Sequence, residues 1–494
     1  MQESGVAFGT SGARGLVSAM TDRVCHGYTA GFLGYLAEEG EFAPGGRVAL
    51  AGDLRPSTPR ILAACAQAIR AMGGQPEFCG YVPTPTLALH AFAQAIPSLM
   101  VTGSHIPDDR NGIKFYRPHG EVLKSDEAGM SRQEVRFAGH AFDAAGMARN
   151  RVPLPAITAI EAPYLRRYRD WFGAGALAGL RLGVYQHSAV GRDLLVAILE
   201  ALGAAVVTLG RAERFVPVDT EAVREEDIVL ARQWTREFGL DAIASTDGDS
   251  DRPLLCDHKG EWLRGDVLGV LCASALGADA VVTPVSSNSV LEATGAFPVT
   301  ARTRIGSPYV IAEMAAQAKA GHRRVCGYEA NGGFLLGSDI AEDGRCLGAL
   351  PTRDAVLPIV AVLAAARPGR LADMVAALPP RVTFSERIAD FPTADSQALI
   401  ACLTAGSQAE QLARLSRYFG ALAGEAQAID RTDGLRVRFA RGDIIHLRPS
   451  GNAPELRCYT EASSGARAQL LNAEALAVVQ GPLSRAMRAR DRVG

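Results

Sequence analysis

The sequence predicts a multidomain α/β protein closed by a smaller α+β domain, on three observations. Its 494 residues exceed what one hydrophobic core usually supports, which implies three or four domains of roughly 100 to 150 residues. A strand–helix rhythm returns three times along the chain. The final stretch then changes to short antiparallel strands and a helix rich in Ala and Leu.

The first module reads as a strand at Val48 to Ala51, a helix after Ser57 and Thr58, a strand near Pro76 to Cys79, a helix after Pro85 and a strand at Ser98 to Val101. Such alternation implies a mostly parallel sheet flanked by helices. The second begins at LRLGVYQ (Leu180 to Gln186) and runs through a helix at Leu194 to Leu202, the strand AAVVTLG, a helix ending near Phe238 and the strand LDAIAST. The third runs from DAVVTPV (Asp279 to Val285) through FPVTART to a helix after Ser307 and the strand RRVCGY. Beyond it, LRVRFARGDIIHLRPSGNAPELRCYTEA reads as antiparallel strands turning at Arg441-Gly442 and Gly451-Asn452. Proline-bearing stretches at Ala148 to Ala159 and near Pro379-Pro380 are the expected linkers. The expected domains are therefore 1–150, 151–257, 258–375 and 376–494.

Composition narrows the function classes. Lys+Arg 51 against Asp+Glu 53 gives a net charge of -2, which offers no global attraction for nucleic acid or an anionic membrane. The apolar stretch Ala355 to Ala366 contains Pro358 and is too short to span a bilayer. The opening MQESGVAFGTSG has no secretory pattern, and 9 scattered cysteines without CxxC spacing argue against a zinc site or a disulfide framework. A reducing cytoplasm is the expected location.

Four loops carry the chemistry. In STDGDSDR, Asp247, Asp249 and Asp251 alternate after an apolar strand, and three carboxylates so close repel one another unless a hard cation such as Mg2+ joins them. The EF-hand pattern fails, because the sixth position from Asp247 is Arg252 and the twelfth is His258. VTGSHIPDDRNGIKFY gathers Ser104, His105 and Lys114 after another strand; a bare serine needs a base or a metal to become a nucleophile. CGYEANGGF offers Glu329, Asn331 and Gly332, a carboxylate and an amide suited to sugar hydroxyls. RPSGNAPELR offers Arg448, Ser450, Gly451, Asn452 and Arg457 as a nest for phosphate. FGTSGARG adds Arg14 but lacks the lysine of a P-loop. Ser104, Asp247 and Glu329 each follow a strand, so three modules aim loops from carboxyl ends, where open α/β sheets bind ligands.

Together these loops, in this order, resemble the α-D-phosphohexomutase superfamily over essentially the whole chain: FGTSGARG is similar to its opening signature, TGSHIPDDRNGIKF to its serine loop, DGDSDR to its metal loop, GYEANGG to its sugar loop and RPSGNAPELR to its phosphate loop. The resemblance implies three related α/β domains and a smaller fourth around a central cleft. It implies a phosphoserine at Ser104, with Mg2+ held by that group and the three aspartates. Arg14, His105, Lys114 and Arg252 would serve phosphoryl contact and proton transfer. Glu329, Asn331 and Gly332 would bind the sugar, and Arg448, Ser450, Gly451, Asn452 and Arg457 the resting phosphate. Hexose 1- and 6-phosphates would interconvert through a hexose 1,6-bisphosphate, with the protein a monomer or dimer. The EANGG loop points first to mannose phosphates, with glucose or glucosamine phosphates as alternatives. Departures from the pattern are Ile106 for the usual asparagine, Asn452 for threonine, EANGG for E-x-S-G, and no histidine at Arg304 to Ser307. A strand followed by D-x-D also suits an aspartyl phosphatase, in which Asp247 would carry the phosphoryl group.

Overall fold

Hydrophobic alternation within two adjacent strands, Arg47–Gly52 and Ser98–Val101, decides the architecture of the amino-terminal module. In the computed structural model, which describes residues 4–9, 12–137, 141–150, 152–366, 370–450 and 454–485, Val48, Leu50, Leu99 and Val101 enter one core cluster while Ala49, Ala51 and Met100 enter another. Successive side chains of a strand point to opposite faces. Both faces of the sheet are thus covered, one by helices Asp22–Glu38 and Thr58–Ala71, the other by Thr84–Ala93. Thr21 caps the first helix by accepting the Val24 N–H, and its buried face includes Cys25, Phe32, Leu33 and Leu36.

The chain divides into two compact units, residues 1–282 with 306–375, and residues 283–305 with 376–494. In the first unit, one sheet runs in the order Ala7–Phe8, Ala13–Leu16, Arg110–Arg117, Ser98–Val101, Arg47–Gly52, Gln75–Phe78. A second runs Pro253–Cys256, Ala242–Thr246, Arg181–His187, Ala205–Arg211. A third joins Ala280–Pro284, Val325–Tyr328, Phe334–Leu336 and Leu350–Asp354.

The expected mostly parallel sheets are mixed. After Ser98–Val101, Ala242–Thr246 and Val325–Tyr328 the chain returns at once in an antiparallel strand, at Arg110–Arg117, Pro253–Cys256 and Phe334–Leu336 respectively. The intervening loops, 102–109, 247–252 and 329–333, are shorter than the dozen or so residues a parallel crossover needs. Each of these three loops is therefore the tip of a hairpin whose first strand is also paired in parallel. The apolar stretch around Pro358 is helix Val356–Ala365, buried nearly all round, with the proline in its first turn where the missing N–H is tolerated. No helix among the described residues is long and apolar enough to cross a membrane.

The second unit is the expected α+β element. Its antiparallel sheet runs Val382–Ile388, Leu456–Ala462, Ile444–Pro449, Leu435–Phe439, Ala426–Asp430. Helices Thr393–Leu403, Gln408–Ala423 and Gly465–Val478 supply Leu399, Leu415, Phe419 and Leu471 to its core. Gly442, at φ +82°, makes the expected turn, while the turn expected at Gly451-Asn452 lies outside the described residues. Residues 283–305 belong to this unit through Asn288 to the Arg381 carbonyl (2.7 Å), Ser289 N to Glu461 (3.1 Å) and Ile305 N to Asp433 (3.1 Å).

Candidate active site

Ser104 occupies the first hairpin tip, fully buried, with φ +58°. Its N–H donates to Thr102 Oγ1 at 2.8 Å, and Thr102 Oγ1 donates to Asp53 Oδ2 at 2.8 Å. Arg55, 1 % exposed, is salt-bridged to Asp53 (2.6 Å) and donates to the carbonyls of Ser104 (3.1 Å) and Ile106. The guanidinium lies 4.0 Å from the Phe215 ring centroid. This underside fixes the left-handed serine and aims Oγ at the second tip, where it donates to Asp247 Oδ2 at 2.5 Å.

In each of the three aspartates of that tip, one carboxylate oxygen is anchored. Asp247 Oδ1 accepts the backbone N–H groups of Asp251 and Arg252, both at 3.2 Å. Asp249 Oδ2 accepts from Thr84 Oγ1 and Lys114 Nζ, both at 2.6 Å. Asp251 Oδ2 accepts from Lys114 at 2.5 Å and from Arg353 Nη2 at 2.9 Å and Nε at 3.0 Å. Asp249 Oδ1 and Asp251 Oδ1 are buried without a hydrogen-bond partner among the described residues. Ligand oxygens from the three lie within 4.8 Å of one another. Burial, then the neighbouring Asp249 and Asp251 charges, push Asp247 up to about 8. Burial works against ionisation of the other two as well, yet Lys114 holds Asp249, and Arg353 holds Asp251, below the usual carboxylate range. Orphaned buried oxygens and three converging acids are the donor set of a hard divalent cation, each ligand oriented through its other oxygen.

Cations face this acidic tip. Arg14 is drawn down to about 10 by burial and by Arg252 and Arg353, and its Nε has no hydrogen-bond partner among the described residues. Arg252 Nη1 donates to His105 Nδ1 at 2.9 Å, and that nitrogen also lies 3.5 Å from Ser104 Oγ. Burial, with Arg252 and Arg14 nearby, presses His105 down to about 2, so the imidazole is neutral at pH 7. Guanidiniums that repel one another beside an acidic trio suit an incoming anion of several oxygens.

The third tip carries Glu329, whose Oε2 pairs with Arg353 Nη1 at 3.0 Å. Asn331 Oδ1 accepts the Gly333 N–H at 2.9 Å, and its carbonyl accepts from Thr220 Oγ1 at 2.8 Å. The amide thus holds its own turn, which Gly332 completes at φ +86° by donating N–H to the Glu329 carbonyl. In the second unit, Arg448 and Arg457 are cross-strand partners, Arg448 Nε pairs with Asp433 at 2.9 Å, and Ser450 N donates to the Glu455 carbonyl at 2.9 Å. Gly451 and Asn452 lie outside the described residues.

Sequence reasoning missed Arg55, Asp53, Thr84 and Arg353. Asp53 and Arg55 had a signal, an acid and a base immediately after the apolar strand Arg47–Gly52. Thr84 and Arg353 had none: their partners are distant in sequence.

Models of four consecutive domains match the chain: phosphoglucomutase/phosphomannomutase alpha/beta/alpha domain I at residues 5–133, domain II at 163–260, domain III at 264–382 and the C-terminal domain at 399–478. A phosphomannomutase of Salmonella muenchen is 44% identical over 486 residues, 98% of both chains. One of Sinorhizobium fredii is 44% identical over 481 residues, covering 97% of this chain and all of the relative. The solved phosphoglucomutase/phosphomannomutase family protein of Burkholderia thailandensis shares the fold, with a TM-score of 0.70 at 19% identity over 96% of this chain and 97% of that one. Three hairpin-tipped α/β modules followed by an α+β domain, with a serine set against an acidic trio, define an intramolecular phosphotransferase. The chain belongs to the phosphoglucomutase/phosphomannomutase family, the α-D-phosphohexomutases.

Proposed function

We propose that this phosphohexomutase is a phosphomannomutase that interconverts mannose 1-phosphate and mannose 6-phosphate through a phosphoserine at Ser104 and a hexose 1,6-bisphosphate. The contact of Ser104 Oγ with Asp247 Oδ2 at 2.5 Å carries the reading, because it sets a hydroxyl beside carboxylates suited to a divalent ion. Support for mannose comes from the two 44% identical relatives, both described as phosphomannomutases.

Asp247, Asp249, Asp251 and the phosphorylated Ser104 would hold Mg2+. Bound there, the ion neutralises charge on the phosphoryl group and the departing serine oxygen. The bond from phosphorus to Ser104 Oγ breaks as one forms to a sugar hydroxyl, and the proton lost by that hydroxyl is regained by Ser104 Oγ; the bisphosphate then returns its other phosphoryl to Ser104 in the reverse sense. Arg14, Arg252 and Lys114 supply cationic hydrogen-bond donors around the moving group, so positioning and electrostatics give most of the acceleration. His105 Nδ1 accepts from Arg252 and so orients that arginine. Glu329 accepts from sugar hydroxyls, and the loop from Arg448 to Arg457, including Ser450, Gly451 and Asn452, binds the phosphate that is not moving.

A coupled assay with mannose, glucose and glucosamine 1-phosphates, each with a hexose bisphosphate present, tests the reading. The highest kcat/KM is expected for mannose 1-phosphate; preference for another sugar reassigns the substrate within the family. Ser104→Ala is expected to lower turnover ~1,000-fold or more with the circular dichroism spectrum unchanged. Phosphate trapped on Asp247 instead of residue 104 would refute the phosphoserine.

A further inference from the structure

Among the buried charged groups the mechanism leaves unused, Arg353 stands apart. It lies at the end of strand Leu350–Asp354, is 2 % exposed, and donates to two different hairpin tips. Nε and Nη2 address Asp251 Oδ2 at 3.0 and 2.9 Å, while Nη1 addresses Glu329 Oε2 at 3.0 Å. A planar guanidinium presents these donors in a fixed fork, so the angle at which one carboxylate is held constrains the other. Gly333 makes the approach feasible, since a Cβ there would lie 2.5 Å from Arg353 Cδ.

We propose that Arg353 is a positioning residue that couples the metal loop to the sugar loop, so that occupancy at Glu329 changes divalent-ion affinity at Asp251. The inference rests on the reading above, in which the acidic trio holds the ion and Glu329 meets the sugar. Its physical content is one planar donor fork divided between two carboxylates. By holding Oδ2 of Asp251, Arg353 leaves Oδ1 as the oxygen open to an ion, and whatever draws on Glu329 alters how strongly the guanidinium compensates Asp251. A sugar hydroxyl on Glu329 and an ion on Asp251 then affect each other's binding by the same factor, as thermodynamic linkage requires.

The test is a cycle of variants read by Mn2+ affinity, from electron paramagnetic resonance of the free ion, on the full-length dephosphorylated protein. Glu329→Gln removes one anionic partner of Arg353, so the guanidinium compensates Asp251 more fully and Mn2+ binding is expected to weaken roughly fivefold. Arg353→Lys keeps the charge without the fork and is expected to weaken Mn2+ binding about tenfold. It is also expected to abolish the additional effect of Glu329→Gln. Mn2+ affinity unchanged by Glu329→Gln, or the same fivefold loss persisting in the Arg353→Lys background, overturns the coupling. Should Arg353→Lys not fold, Mn2+ affinity unchanged by Glu329→Gln still overturns the coupling. If the unaltered protein binds no Mn2+, the metal reading itself fails, which is distinct from tight Mn2+ binding indifferent to residue 329.

Discussion

A serine at φ +58° is held where L-residues are disfavoured by roughly 1–2 kcal/mol, and the surrounding bonds must overcome that preference. Asp53, Thr102 and Arg55 do so from beneath. Buried histidines make a second residue-scale statement. His446 donates Nε2–H to the Asp433 carbonyl at 2.6 Å, stacks on Tyr459, and leaves Nδ1 with no hydrogen-bond partner among the described residues. Burial lowers it from 6.5 to about 4, against a partial raising by the Asp433 carbonyl bond. The unfolded chain therefore takes up this proton first on acidification. The stability contributed is whole above about pH 6.5 and is lost as pH falls toward about 4, up to about 3 kcal/mol. Thermal midpoints measured from pH 7.5 to 5 are expected to fall less steeply for His446→Phe than for the unaltered protein; parallel curves would remove His446 from the account. The candidate loops were legible at this scale because TGSH, DGDSD and EANGG are local strings. Arg353 was not, since nothing in PTRDAV signals a bond to Asp251, 102 residues away.

The recurring element is a hairpin whose first strand also pairs in parallel, and its tips carry Ser104, the three aspartates and Glu329. The serine tip and the metal tip approach backbone to backbone: a Cβ on Gly248 would lie 2.6 Å from the Ser104 carbonyl oxygen and 3.1 Å from Phe215. Gly248→Ala must push these tips apart, and a displacement of about 1 Å at a reacting centre is worth roughly 100-fold in rate. The expected result is a kcat lowered by about that factor with the KM for hexose phosphate little changed; a KM effect alone would place the strain elsewhere. Strand positions were readable from apolar runs such as VALAG and LDAIAST, and helix Thr58–Ala71 from its Ser-Thr-Pro start. Direction was not, because a strand leaving a short polar loop reads the same whether it crosses over or doubles back. Helices Thr393–Leu403 and Gln408–Ala423 also escaped notice, although Ser407 and Glu410 form a capping box.

For the molecule as a whole, an ion that binds the folded acidic trio and not the unfolded chain adds stability. Saturating Mg2+ or Mn2+, at about 100 times its dissociation constant, is expected to add about 2.7 kcal/mol to the unit that holds the trio. A higher thermal midpoint with the ion than with EDTA, and no such difference in Asp249→Asn, is the check; equal midpoints in the unaltered protein would mean the ion does not bind the folded state. The α/β class and the change to α+β near residue 376 were visible in sequence, because the hydrophobic period itself changes there. The detour of residues 283–305 into the second unit was invisible, since its anchors, Arg381, Asp433 and Glu461, lie about 90 to 170 positions downstream. That detour sets a rule for building chimaeras between relatives. A graft that begins at residue 376 imports a lobe without its own 283–305 segment and leaves the host's 283–305 set against foreign side chains; the transplant must travel as two pieces.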